Sequence, residues 1–245
     1  MGRACVDRLR EHAEVLVAVD LGAPDLPGVV GVACDIADPD SVLALAERVR
    51  ELGPFRALAH AAGISPTMGD ARRMFEVDLL GTQLLLDAFE DLVVPGSAAV
   101  CFSSSAAYQV RAFVTPEHEA LLADPLAPGF LDEAVRAAGD HSGFAYALAK
   151  VGVIRAAARA AVRWGRRGGR VTSVAPGLID TPMGRQELAQ QAEMPAVLAA
   201  TPLARLGEAG EVADVVTYLL SDAASYVSGI DVLVDGGMVQ GLGAP

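Results

Sequence analysis

What most restricts the fold of this chain is an alternation. Short apolar runs at Val15–Val19, Val29–Cys34, Arg56–His60, Ala98–Ser103, Arg170–Val174 and Ile230–Val234 are separated by stretches of helical period. The runs are apolar at successive positions, so as strands they present apolar side chains on both faces. Strands of that kind belong in a parallel sheet with helices on each side. Helices are predicted over 3–12, from Pro39 to about Leu52, from about Asp70 to Leu92, from about Phe144 to Trp164 and from about Gly210 to Leu220. The second of these has Asp38 as N-cap, Pro39 at its first position and a stripe of Val42, Leu45, Ala46 and Val49. The expected fold class is therefore α/β, a doubly wound parallel sheet in a single domain covering 1–245. In such sheets ligands bind at the carboxyl ends of the strands. Asp20, Asp35, Ala61-Ala62-Gly63 and Ser103-Ser104-Ser105 all fall at those ends.

Two segments break the alternation. Residues 110–141 carry Pro116, Pro125 and Pro128 and two short helical pieces, about 117–123 and 130–138. This is the pattern of an insertion over one edge of the domain. Residues 186–199 are helical and rich in Ala, Gln and Leu, and 183–200 is expected to form a lid over a substrate.

The net charge of −12 argues against nucleic acid as a partner, since phosphate binding needs clustered cations. The basic cluster Arg163-Trp164-Gly165-Arg166-Arg167 lies at an expected helix end, where the macrodipole favours cations. Cys5, Cys34 and Cys101 are widely spaced among apolar neighbours and read as buried reduced thiols, with no metal-ligand spacing. No apolar run reaches the length of a membrane span, and the first residues have no signal-peptide core. The expectation is a soluble cytoplasmic protein that does not engage membranes.

Lys150 is the only lysine in a chain that otherwise uses arginine for positive charge. It follows Tyr146 by four residues, so on a helix the two share a face one turn apart. A phenol beside a fixed ammonium has a stabilised anion, and its pKa is expected to fall toward neutrality, where it can act as general acid or base. The competing reading is a surface Tyr and Lys on an amphipathic helix, and the pair alone does not decide between them.

Several motifs stand in order at compatible spacing. They are Asp20 at a strand end, Cys34-Asp35-Ile36, His60-Ala61-Ala62-Gly63, a serine-bearing strand end and Tyr146-x-x-x-Lys150. After them come Ala175-Pro176-Gly177 with Thr181-Pro182, then Ser225-Tyr226-Val227-Ser228-Gly229 ahead of Val234-Asp235-Gly236-Gly237. Together they resemble the short-chain dehydrogenase/reductases, nicotinamide-dependent oxidoreductases on a Rossmann-like fold. The long segment before Tyr146 resembles the branch containing bacterial 3α-hydroxysteroid dehydrogenase.

The resemblance implies a set of roles. Tyr146 is the expected general acid or base, and Lys150 its partner and a ligand of the nicotinamide ribose. Ser103, Ser104 and Ser105 compete to hold the substrate oxygen, and the register of Val100-Cys101-Phe102 favours Ser104. All three serines could instead satisfy loop backbone groups. Asp20 is expected to accept from the adenosine ribose and repel a 2′-phosphate, which selects NAD(H). Asp35 and Ile36 are expected to frame the adenine, with Ala61, Ala62 and Gly63 beside it. Pro176, Gly177, Ile179 and Thr181 are expected to border the nicotinamide. The implied reaction interconverts a hydrophobic secondary alcohol and its ketone, and the implied assembly is a homodimer or homotetramer.

Three departures accompany the resemblance. Asp78 stands where the family has a catalytic asparagine, and Thr172 replaces another frequent asparagine; the chain contains no asparagine. The family's opening strand and glycine-rich phosphate turn have no counterpart, and Met1-Gly2-Arg3-Ala4 look like the last residues of that turn. The expectations are a start upstream of Met1 or a form with impaired cofactor binding. The rival function is a non-catalytic member of the fold that binds a ligand or partner.

Overall fold

A computed structural model describes residues 1–139, 141–192 and 194–243. Asp140 of the expected insertion and Glu193 of the expected lid lie outside the described residues. The chain opens with α1 (Gly2–Leu9), followed by β1 (Val17–Asp20), β2 (Val30–Ala33), α2 (Pro39–Leu52) and β3 (Ala57–His60). One continuous helix comes next: α3 (Ala71–Met74), a π-helical segment (Phe75–Leu80) and α4 (Gly81–Glu90). After β4 (Ala98–Phe102) come α5 (Ala106–Gln109), α6 (Pro116–Leu122), α7 (Phe130–Ala138) and the long α8 (Ser142–Gly165). The remainder is β5 (Arg170–Pro176), β6 (Ile179–Asp180), α9 (Pro182–Gln190), α10 (Met194–Ala200), β7 (Gly207–Glu208), α11 (Ala209–Leu220), β8 (Asp231–Val234) and α12 (Met238–Leu242).

The helix starts are chemically legible. Asp38 accepts from the Asp40 amide at 3.2 Å, and Asp70 accepts from the Arg73 amide at 2.9 Å. Each occupies an orphan donor of a first helical turn. Helix α2 buries Val42, Leu45 and Ala46, the stripe expected from its period.

All strand pairs are parallel. Strands β3, β4, β5 and β8 form one sheet in that order, with Ala57 opposite Ala98, Ala98 opposite Arg170 and Ser173 opposite Asp231. Strands β1 and β2 pair separately, Asp20 opposite Ala33. Among the described residues no strand is hydrogen-bonded between β1 and β3. The parallel strands therefore stand in two pieces, joined through side-chain packing. One face is covered by α2, α4 and α8, which contribute Leu45, Leu86, Phe89, Val153 and Trp164 to a common core with Cys34 and Ile36. The other is covered by α1 and α11, through Cys5, Val212 and Val216 against Val100 and Val174. The 110–141 segment builds a third cluster, in which Leu122, Phe130 and Ala134 pack on Met74, Phe75, Leu79 and Leu148.

Smaller differences from the sequence reading have local causes. The 186–199 helix is two helices, α9 and α10. The basic cluster stands at the end of α8, as expected, and is also tied across to the end of α4: Arg163 donates to Glu90 at 2.6 Å and Asp87 at 2.5 Å, and Arg167 to Asp91 at 2.8 Å. The three cysteines are buried and free. No helix of the described residues is long and apolar enough to cross a membrane.

Candidate active site

Tyr146 and Lys150 lie one turn apart on α8, and the ammonium stands 5.6 Å from the centre of the tyrosine ring. Lys150 is buried, at 5% exposure, so the reading of a surface pair on an amphipathic helix does not hold. Its ammonium donates to Asp78 Oδ1 at 3.3 Å and to the Phe102 carbonyl at 3.2 Å. An ammonium has three N–H donors, so one remains. Asp78 is wholly buried on the π-helical segment; Oδ1 also accepts from the Ile64 amide at 3.0 Å, while Oδ2 has no partner. Gly63 makes this approach possible. A Cβ there would lie 2.6 Å from Asp78 Oδ1 and 3.1 Å from the Lys150 ammonium.

The electrostatics differ from the expectation. Lys150 alone would bring Tyr146 below the usual phenol range. In the structure its pKa is raised, first by burial and then by the Asp78 carboxylate, with a smaller opposing contribution from a hydrogen bond to Ser104 and a further rise from Glu187. Beyond burial, Asp78 sets a negative charge beside the lysine that opposes ionisation of the phenol. Asp78 is itself raised, because burial outweighs the attraction of Lys150 and the Ile64 and Lys150 hydrogen bonds.

The three candidate serines separate cleanly. Ser103 is buried, with its hydroxyl 2.9 Å from the Val174 carbonyl and 2.8 Å from Asp231 Oδ1. Ser105 is buried and its amide donates to the Pro176 carbonyl at 2.9 Å. Of the three, Ser104 alone acts on Tyr146, drawing its pKa down against the larger effects of burial and Asp78, and its Oγ accepts from the Ala106 amide at 3.2 Å. Ser104, Tyr146 and Lys150 therefore converge at the carboxyl end of β4.

The expected cofactor-side residues are spread along the same edge. Asp20 ends β1, exposed, with Oδ1 accepting from the Leu21 amide at 2.8 Å. Asp35 Oδ1 accepts from the Ala37 amide at 3.0 Å, and Oδ2 faces Arg73 at 3.6 Å. Ile36 is buried against α4, where a Cβ at Gly81 would stand 3.0 Å from its side chain. Ala61 and Ala62 follow β3, and Gly2 at the start of α1 lies beside Ala61. Pro176 ends β5, and Gly177 is pressed against Asp235, where a Cβ would meet its Cα at 2.7 Å. Thr181 caps α9, its hydroxyl accepting from the Gly184 amide at 3.0 Å. Ile179 lies on β6. It is 6% exposed and packs with Val174 and Val212, because β6 pairs with β7 and turns the side chain into the core.

Two participants escape the sequence reading. Glu187, on α9, hydrogen-bonds to Ser65 and adds negative charge near Tyr146; no motif in that helix marks it. His60 is buried behind Asp78. Thr82 Oγ1 donates to the Asp78 carbonyl at 2.6 Å, so it accepts from His60 Nε2 at 2.9 Å, which fixes the tautomer. Burial, with help from Lys150, pushes His60 down to about 3, so the ring is neutral.

Comparisons with known proteins agree with this arrangement. A family model described as enoyl-(acyl carrier protein) reductase matches residues 132–239. An uncharacterized short-chain type dehydrogenase/reductase of Sinorhizobium fredii is 32% identical over 98% of this chain, which spans 42% of that protein's length. The cis-4-hydroxycyclohexanecarboxylate dehydrogenase of Sinomonas cyclohexanicum is 32% identical over 97% of this chain and 91% of its own. The crystal structure of a 3α-hydroxysteroid dehydrogenase from Pseudomonas, complexed with NADH, matches with a TM-score of 0.82 at 29% identity, covering 97% of this chain and 92% of that one. Similarity that runs nearly end to end in sequence and in backbone course makes this chain a member of the short-chain dehydrogenase/reductase family of oxidoreductases.

Proposed function

We propose that this chain interconverts a hydrophobic secondary alcohol and its ketone with NAD(H), Tyr146 acting as general acid or base. The observation that carries the reading is the convergence of Ser104, Tyr146 and Lys150 at one strand end. Bound nicotinamide supplies the hydride to the carbonyl carbon in reduction and takes it back in oxidation. Ser104 and Tyr146 are placed to hold the substrate oxygen, stabilising the charge that develops there. In reduction the Tyr146 hydroxyl gives that oxygen its proton and is refilled from solvent; in oxidation the tyrosinate takes the proton. Asp78 in this reading orients Lys150.

The residues fit a nicotinamide dinucleotide in part. The remaining Lys150 donor suits a ribose hydroxyl, and the exposed Asp20 carboxylate suits the hydroxyls of the other ribose while opposing a 2′-phosphate. The start of α1 has no side-chain cap and lies beside Ala61 at the strand ends, where a helix terminus can face phosphate. The steroid or aromatic character of the substrate rests on relatives' names and on the apolar 110–141 cluster. A homodimer or homotetramer is part of the proposal, and light scattering coupled to size exclusion measures it.

A second reading, a non-catalytic ligand- or partner-binding member of the fold, is favoured by one observation: the break between β1 and β3. Fluorescence titration with NADH discriminates. Saturable binding that Asp20→Ala abolishes supports the enzyme, and no binding at millimolar cofactor supports the alternative. Tyr146→Phe is expected to abolish turnover while NADH still binds, and near-normal turnover would refute its assigned role.

A further inference from the structure

The pairing of Asp78 with Lys150 has a consequence for Tyr146 that the family pattern, with an amide at this position, does not share. We propose that Asp78 sets the pH window of the proton transfer by offsetting the lysine charge that faces Tyr146. Asp78 is then a positioning residue, acting on the phenol through Lys150 and through its own charge. The inference takes from the proposed function only the role of Tyr146.

The geometry supports this at four points. The carboxylate is wholly buried, so water does not screen it. It lies 3.3 Å from the ammonium, and the Ile64 amide anchors Oδ1 from the opposite side. Gly63 leaves room for the pair, since a Cβ there would stand 2.6 Å from Asp78 Oδ1 and 3.1 Å from the ammonium. Oδ2 has no donor to neutralise it, so the charge is compensated by Lys150 and by backbone dipoles alone.

The groups facing this site come from several elements. Lys150 and Tyr146 are on α8, Asp78 on the π-helical segment, Glu187 on α9, and His60 and Cys101 at β3 and β4. His60 is neutral and burial raises Cys101 to about 12, so neither carries charge across the working range. Glu187 acts in the same direction as Asp78, with the smaller effect on Tyr146.

The proton balance turns this charge into a pH dependence. Ketone reduction uses the phenol and continues to alkaline pH until Tyr146 ionises. Alcohol oxidation uses the tyrosinate and rises only as that ionisation is approached. Replacing Asp78 by a neutral group leaves Lys150 uncancelled, and both limbs move to lower pH together.

The test begins with cofactor-free protein. Tyrosinate absorbance is titrated in the native chain and in Asp78→Asn and Asp78→Ser, with Tyr146→Phe versions of each subtracted to isolate the Tyr146 signal. The Tyr146 component should emerge lower by about one pH unit or more in both neutral variants. Glu187→Gln should move it less. Where Asp78→Asn folds poorly, the smaller Asp78→Ser gives the reading. A Tyr146 signal at unchanged or higher pH in the folded variants overturns the proposal. With NAD(H) and an alcohol substrate, the acid limb of kcat/KM for oxidation should move by the same interval. A limb that stays fixed also overturns it. An active Tyr146→Phe enzyme would instead refute the role of the tyrosine, leaving the absorbance titration to judge Asp78 alone.

Discussion

Gly63→Ala is the most discriminating single change at this site. Its added Cβ would stand 2.6 Å from Asp78 Oδ1, well inside contact distance, and 3.1 Å from the Lys150 ammonium. Neither atom can move freely, because Oδ1 is held by the Ile64 amide and the ammonium by the Phe102 carbonyl. Overpacking of one methyl costs about 1–3 kcal/mol, and loosening a buried hydrogen bond to a charged group about 1.5–3 kcal/mol. A loss of about 3 kcal/mol is expected, equivalent to roughly 6–12 °C in melting temperature for a chain of this size. Urea denaturation of four proteins isolates the cause. The same substitution is placed in a background of Asp78→Ala with Lys150→Met, which removes both charges and the clashing oxygen. There it should cost under about 1 kcal/mol, since the close contacts are gone. An equal cost in both backgrounds would refute the reasoning and put the conflict in the backbone of the 60–64 loop.

Packing and charge elsewhere in the core give two further outcomes. Trp164→Ala removes a fully buried ring that stands edge-on to Phe55 at 5.8 Å and donates to the Leu86 carbonyl at 3.3 Å; a loss of about 3–5 kcal/mol in urea denaturation is expected. His60 is neutral in the fold, with its pKa depressed to about 3, so below about pH 6.5 the unfolded chain binds the extra proton and the fold loses stability as pH falls. Acidification from about pH 6.5 to about pH 5 should remove about 2 kcal/mol through this group, and His60→Gln should remove that part of the pH dependence in denaturation curves.

Much of the scaffold was legible because strand and helix periods are local properties. Asp38, Pro39 and the Val42–Leu45–Ala46 stripe needed only neighbours in sequence, and α2 stands where they put it. Ser104 was singled out by setting Val100, Cys101 and Phe102 against the family's serine-bearing strand, and it stands just past the end of β4. The sign of the tyrosine shift was not. It depends first on the burial of the phenol and then on Asp78, which lies far from Tyr146 in sequence and becomes its neighbour only through the packing of the π-helical segment on α8. A pairwise rule, phenol beside ammonium, misses a third charge that the fold supplies.

The π-helical segment links the two ends of the proposed cofactor site. Phe75–Leu80 interrupts an otherwise α-helical run from Ala71 to Glu90, and Asp78 sits within it. A π turn adds a residue to the local period and so rotates the downstream part of the helix relative to the upstream part. Gly81, directly after it, leaves room for Ile36, whose side chain a Cβ there would meet at 3.0 Å, while Arg73, on α3 before it, faces Asp35 at 3.6 Å. The β1–β2 pair has no hydrogen-bonded strand joining it to the larger sheet, so contacts of this kind hold Asp20 and Asp35 in place. The helix that carries the charge opposite Lys150 is therefore also the helix on which Asp35 and Ile36 lean. A change in its period would alter the proton-transfer pair and the nucleotide-side carboxylates together, whereas a substitution on β1 alone would reach only the latter.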